Sequence, residues 1–188
     1  MNEIRPPDPK ERKMVQNRER VGLVLVHTGD GKGKSTSAFG MALRAIGHGM
    51  RVVIVQFIKG SRTYGELDSL EKLGIQVIRA GEGFTWEVRS DERQRELAAW
   101  GMNAAREALA GGVDLLILDE VNICLGKGFL EVEAFLAFLA ERSPEVHVVC
   151  TGRYAPDALI EAADLVTRFE LVKHPFQKGI RAQPGVEF

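Results

Sequence analysis

Cysteine is scarce. The 188 residues hold two, Cys124 and Cys150, too far apart for the paired spacing of a metal site. Cys150 closes an apolar run and reads as a small buried hydrophobe. An excess of one charge is missing as well. Twenty-five Lys and Arg against 26 Asp and Glu give a net charge of −1 and a pI of about 6.4. With no basic stripe either, nothing in the charge calls for nucleic acid or an anionic membrane. No apolar stretch reaches the ~20 residues of a membrane span, and the charged N-terminus lacks the apolar core of a signal peptide. Together these absences predict a cytoplasmic protein. There is no internal repeat, no low-complexity tract, and no Ser-His or Cys-His arrangement to serve as a protein nucleophile.

What remains is an ordinary globular composition, 45% hydrophobic and 27% charged, in a chain long enough to bury one full core. Residues 1–20 stand apart. Pro6, Pro7 and Pro9 prevent a helix at the start, and residues 10–20 are charged, with Met14 and Val15 their only apolar members. Such a segment does not fold alone. It is either a solvated arm or a cover for a site or a partner subunit. Residues 21–188 form the domain proper.

The domain is organised around residues 21–36. An apolar run from Val21 to Val26 reads as a buried strand, a glycine-rich loop follows, and a helix opens at Ser35. Strand, glycine loop, Gly-Lys-Ser and helix in register are the context of a phosphate-binding P-loop. Gly29, Gly31 and Gly33 let successive backbone N–H groups turn inward, and the helix N-terminus adds partial positive charge. Lys34 would reach the outer phosphates and the Ser35 hydroxyl would hold Mg²⁺. The usual motif begins with Gly where this chain has Thr28; the nearest glycine, Gly29, comes one place late.

Helices and apolar strands then alternate. The pattern predicts a helix from Ser35 to Gly47 and a strand from Arg51 to Phe57. A short helix from Glu66 and a strand at residues 75–78 follow. A helix capped by Ser90 carries Leu97, Trp100, Ala104 and Ala108 at core spacing. The strand at 113–118 ends in Asp119-Glu120, a Walker-B pattern in which a carboxylate at the strand tip binds Mg²⁺. Residues 122–128 read as a polar loop, 131–140 as an amphipathic helix and 145–151 as a strand. Pro156 opens a short helix. Residues 165–172 alternate as a half-exposed edge strand does, and the tail has no period. Lys59, Arg62 and Arg153 fall at carboxyl ends of strands, where ligands of open α/β sheets sit; each is a candidate anion contact or a solvated charge. Phe84 and Trp86, in a polar glycine-containing loop, either plug that loop or form an apolar platform for a flat ligand. The expected fold is a three-layer α/β/α sandwich with a mostly parallel six-stranded sheet, a RecA-like P-loop nucleotide hydrolase fold.

From about His27 onward the chain resembles the P-loop type of ATP:corrinoid adenosyltransferase. The resemblance rests on residues 27–36 (HTGDGKGKST), 55–60 (VQFIKG), 83–86 (GFTW), 118–122 (LDEVN) and 151–153 (TGR), and on the ending His174-Pro175-Phe176 through Gly185-Val186-Glu187-Phe188. The displaced glycine is part of that family's pattern, and Ser35 stands where Thr is more usual, with the hydroxyl retained. The resemblance implies transfer of the 5′-deoxyadenosyl group of ATP to Co(I) of a corrinoid, with release of triphosphate. It implies that residues 28–36 (Thr28, Gly29, Asp30, Gly31, Lys32, Gly33, Lys34, Ser35, Thr36) hold the nucleotide. Ser35, Asp119 and Glu120 would hold Mg²⁺ or Mn²⁺, with Lys34 and Glu120 acting in catalysis. Phe84 and Trp86 are implied to lie at the corrinoid's lower face and displace its axial ligand, so that a flavin-dependent reductant can reach Co(I). The arm before residue 21 resembles a segment that closes over a corrinoid site in a homodimer. A P-loop small-molecule kinase or ATPase would use Lys34, Ser35, Asp119 and Glu120 equally well, but leaves the aromatic loop and the tail unexplained. A third reading is a non-catalytic nucleotide switch or a DNA-dependent motor; the near-neutral charge and the absence of a basic stripe argue against the motor.

Overall fold

The computed structural model describes residues 21–58, 65–81 and 90–187. Lys59, Arg62, Phe84, Trp86 and the arm 1–20 lie outside the described residues. Six strands form one sheet: β1 Val24–Thr28, β2 Val52–Gln56, β3 Gln76–Arg79, β4 Leu115–Asp119, β5 His147–Thr151 and β6 Leu165–Arg168. Their order is β3-β2-β4-β5-β1-β6, and every pairing is parallel. β2 and β4 are buried along their whole length, as parallel strands covered on both faces must be.

Two apolar clusters cover the faces. On one, α1 (Lys34–Gly47) and α2 (Gly65–Lys72) bring Ala38, Phe39, Ala42, Leu67 and Leu70 against Ile54, Ile117 and Val149. The other is covered by α3 (Asp91–Ala110), α4 (Val121–Gly126), α5 (Val132–Glu141) and α6 (Asp157–Ala162), with Met102, Phe135, Phe138 and Leu159 in its core.

Three expectations are corrected. Trp100 is 51% exposed; the buried stripe of α3 is Gln94, Ala98, Gly101, Met102, Ala104 and Ala105. The helix comes so close to the sheet that a Cβ on Gly101 would lie 2.7 Å from the Phe57 ring and 2.9 Å from the Ala80 Cβ. A seam that tight takes small residues and turns the indole outward. Residues 122–128 are not a polar loop, because Val121, Cys124 and Leu125 are buried on one side of α4. β6 stops at Arg168 and all four of its residues are exposed. It is an edge strand, but it shows none of the expected alternation in burial. The tail holds one 3₁₀ turn, Pro175–Lys178, capped by the His174 side chain.

Candidate functional site

The phosphate loop spans residues 29–33, between β1 and α1, at the carboxyl edge of the sheet. Gly29 and Gly33 have φ of 95° and 103°, values that L side chains rarely adopt. Gly31 is required for a different reason. Its N–H donates to Phe169 O at 2.8 Å, and a Cβ there would lie 2.5 Å from Glu170 O. The loop is thus laid flat on the chain that continues β6. Gly33 caps α1 without a side chain, and the first turn carries no acidic residue, so the positive end of the helix faces the loop.

Lys34 folds back across this loop, donating to Gly29 O at 2.7 Å and Gly31 O at 2.5 Å. Burial lowers its pKa below the usual lysine value, opposed chiefly by the Glu120 carboxylate. Thr28 is the last residue of β1 and is buried; its hydroxyl accepts from Ala155 N at 3.4 Å. The missing first glycine of the motif therefore falls on a strand residue, and the loop begins at Gly29. Ser35 is half-buried and Thr36 exposed in the first turn of α1. Arg153 is brought to the loop: its guanidinium donates to Asp30 O at 3.3 Å and pairs with the Asp30 carboxylate at 3.6 Å. Lys32 is turned the other way, to Glu187 of the tail, at 2.5 Å.

Beneath the loop lies a row of polar residues across four adjacent strands: Gln56, Asp119, Thr151 and His27. Gln56 is in register with Asp119, and Thr151 with His27. All four are at most 5% exposed. Gln56 Nε2 donates to Asp119 Oδ2 at 3.0 Å, and the Thr151 hydroxyl donates to Asp119 Oδ1 at 2.7 Å. His27 Nδ1 lies 3.0 Å from Ser37 Oγ and 3.2 Å from Lys34 O. Burial lowers the His27 pKa, so the ring is neutral at pH 7.

Glu120, half-buried, follows Asp119 with φ 65° and ψ 13°. A left-handed non-glycine residue costs roughly 1–3 kcal/mol and persists only where its surroundings impose it. Here the Glu120 N–H donates to Thr151 Oγ1 at 3.0 Å. A Cβ on Gly152 would lie 3.2 Å from Glu120 Oε2, so the carboxylate rests over that glycine. Asn122 ties the same corner together, donating to His27 O and Gly152 O, each at 3.2 Å. Burial pushes the thiols of Cys124 and Cys150 up to about 12, so neither is a thiolate near neutral pH.

The predicted loop residues, Arg153 and the Asp119-Glu120 pair thus meet at one edge of the sheet. Gln56, Thr151, His27 and Asn122 were not singled out as functional from the sequence. Their signal was present: Gln56 and Thr151 are polar residues that close apolar runs at the ends of β2 and β5, and His27 follows the apolar run of β1 one place before its end.

One strand, β5, separates the strand that feeds the glycine loop from the strand that ends in the acidic pair. That order and the loop geometry define a RecA-like P-loop nucleotide-binding protein. A solved structure of flagellar accessory protein FlaH from Methanocaldococcus jannaschii is similar in fold, with a TM-score of 0.51 and 15% identity over 79% of this chain and 71% of that one. A model of the family ATP:corrinoid adenosyltransferase BtuR/CobO/CobP matches residues 20–188. A corrinoid adenosyltransferase of Pseudomonas aeruginosa is 49% identical over 95% of this chain and 89% of its own length. The corrinoid adenosyltransferase of Escherichia coli K12 is 36% identical, covering 94% of this chain and 90% of its own. The chain belongs to the ATP:corrinoid adenosyltransferase family.

Proposed function

We propose that this chain transfers the 5′-deoxyadenosyl group of ATP to the Co(I) centre of a corrinoid, in adenosylcobalamin biosynthesis or salvage in the cytoplasm. The match along residues 20–188 carries this reading, and the geometry of the phosphate loop supports its nucleotide half. The substrate cobalt supplies the electron pair. A Co–C5′ bond forms, the C5′–O bond breaks, and its electrons leave with triphosphate. No protein nucleophile is needed, in keeping with two buried, protonated cysteines.

The chain's task is to orient ATP and to stabilise a polyanionic leaving group. The amides of residues 29, 30, 32 and 33, the N-terminus of α1 and the Lys34 ammonium serve that end, while the Gly31 amide stays bonded to Phe169 O. In the structure Lys34 is held by two neutral carbonyls; a phosphate oxygen is a stronger, charged acceptor and would draw it away. Among the described residues no group of three His, Cys, Asp or Glu could hold a metal. The phosphates of ATP would supply much of the coordination of Mg²⁺ or Mn²⁺. The Ser35 hydroxyl and Glu120 carboxylate would complete such a site, while Asp119, with both oxygens engaged, would frame it. Bound there, the cation neutralises charge on the leaving group.

Lys59, Arg62 and Arg153 are proposed as further nucleotide contacts, and Phe84 and Trp86 as the apolar face toward the corrinoid. Residues 1–20 would close over the site within a homodimer, and a flavin-dependent reductant would supply Co(I). Alanine at Phe84 or Trp86 is expected to cost more activity from Co(II) plus reductant than from preformed Co(I); equal losses in the two assays would rule out axial-ligand displacement. The reading itself is tested by incubating the chain anaerobically with ATP, Mg²⁺ and cob(I)alamin and following the visible spectrum. Appearance of the light-sensitive adenosylcobalamin spectrum is expected. A spectrum unchanged with cob(I)alamin, cobinamide and cobyrinic acid diamide, together with conversion of ATP to ADP, would turn the assignment to a kinase or ATPase.

A further inference from the structure

We propose that Thr151 is a positioning residue for Glu120, coupling the end of β5 to the cation-binding side of the nucleotide site. The inference rests on the reading of Glu120 as the carboxylate that meets the Mg²⁺ of MgATP.

Thr151 is fully buried at the end of β5. Its hydroxyl has one proton and two lone pairs. The proton goes to Asp119 Oδ1 at 2.7 Å, and a lone pair accepts the Glu120 N–H at 3.0 Å. One oxygen therefore bridges the side chain of the residue before the turn to the backbone of the residue that makes it. The turn is the left-handed conformation of Glu120, which sends the chain out of β4 and into α4 within one residue. The other carboxylate oxygen of Asp119 is held by Gln56, so Thr151 is anchored to a fixed frame rather than to a mobile partner. Gly152, at φ 126°, completes the arrangement: a Cβ there would lie 3.2 Å from the Glu120 carboxylate, and L side chains rarely adopt that φ. The last residue of β5 and the glycine after it thus fix the backbone of Glu120 and make room for its charge. Of the four residues in the buried polar row, Thr151 alone bonds both members of the acidic pair. Valine keeps the shape of threonine and can make neither bond; serine keeps both.

The experiment uses the full chain, with ATP binding measured by calorimetry in the presence and absence of Mg²⁺. The readout is the ratio of the two Kd values, the gain in ATP affinity that Mg²⁺ confers. Thr151→Val is expected to cut that gain at least fivefold while Mg²⁺-free ATP binding stays within twofold of the unsubstituted chain. Thr151→Ser is expected to retain it. On a Glu120→Gln background, Thr151→Val is expected to change it less than twofold, because its effect passes through Glu120. Should the valine variant not fold, Thr151→Ala carries the same test. An unchanged gain in Thr151→Val, an equal loss in Thr151→Ser, or the same fold-loss on the Glu120→Gln background would each overturn the proposal. No corrinoid is present, so failure here is distinct from failure of the adenosylation assay.

Discussion

Lys34 is the residue on which the nucleotide site turns. Its ammonium crosses the glycine loop to two carbonyls, near the carboxylate of Glu120 and the guanidinium of Arg153. Removing one preorganised donor aimed at a developing anion lowers kcat by about 10²–10³-fold. Lys34→Ala is expected to lose about that much in steady-state adenosylation; near-normal turnover would remove the loop from any role in holding the leaving group. His27 leads to a prediction about stability. Desolvation lowers its pKa below the ordinary 6.5, so between the folded-state pKa and 6.5 the unfolded chain binds more protons. Stability is then full above the ordinary value and is lost as pH falls through that window. Urea midpoints should decline between about pH 7 and 5 more steeply in the unsubstituted chain than in His27→Gln. Parallel declines would place the titrating group elsewhere.

At the scale of elements, the phosphate loop and β6 form one unit. Gly31 bonds Phe169 and has no room for a side chain beside Glu170 O. Gly31→Ala must push backbone from backbone, at a cost of roughly 1–3 kcal/mol. It should lower both the thermal midpoint and ATP affinity; a variant as stable as the parent would show that the seam opens freely. The same seam shows what the sequence leaves unread. The Gly-Lys-Ser motif, its flanking strand and helix, and the acidic pair after β4 are local patterns, and each stands where its spacing places it. That Gly31 answers to Phe169 and Glu170 is a contact across well over a hundred residues, and no local period reports it. The helix over Asp91–Ala110 was legible from its Ser90 cap, which accepts from Arg93 N at 3.2 Å. Its buried face was not. Hydrophobic size favours Trp100, whereas the close approach at Gly101 favours Ala98 and Ala105. Gln56, Thr151 and His27 were visible as polar residues after apolar runs, but their union into one row depends on strand order, which only the folded sheet supplies.

Across the whole molecule, two apolar layers hold a parallel sheet whose carboxyl edge collects the loop, Arg153, Glu120 and the buried polar row. Among the described residues no helix is long and apolar enough to cross a membrane. The tail returns to this edge as well, through Glu187, whose carboxyl is held below the usual range by its hydrogen bond to Lys32. What separates an adenosyltransferase from other P-loop enzymes is which ATP bond the site breaks, and this can be read from the phosphate product. The decisive measurement is phosphorus NMR of a completed reaction with ATP carrying ¹⁸O in the C5′–O–P bridge. Intact triphosphate carrying the label on its former bridging oxygen, one per adenosylcorrinoid formed, is the predicted result. ADP and phosphate, or label retained on the nucleoside, would contradict it.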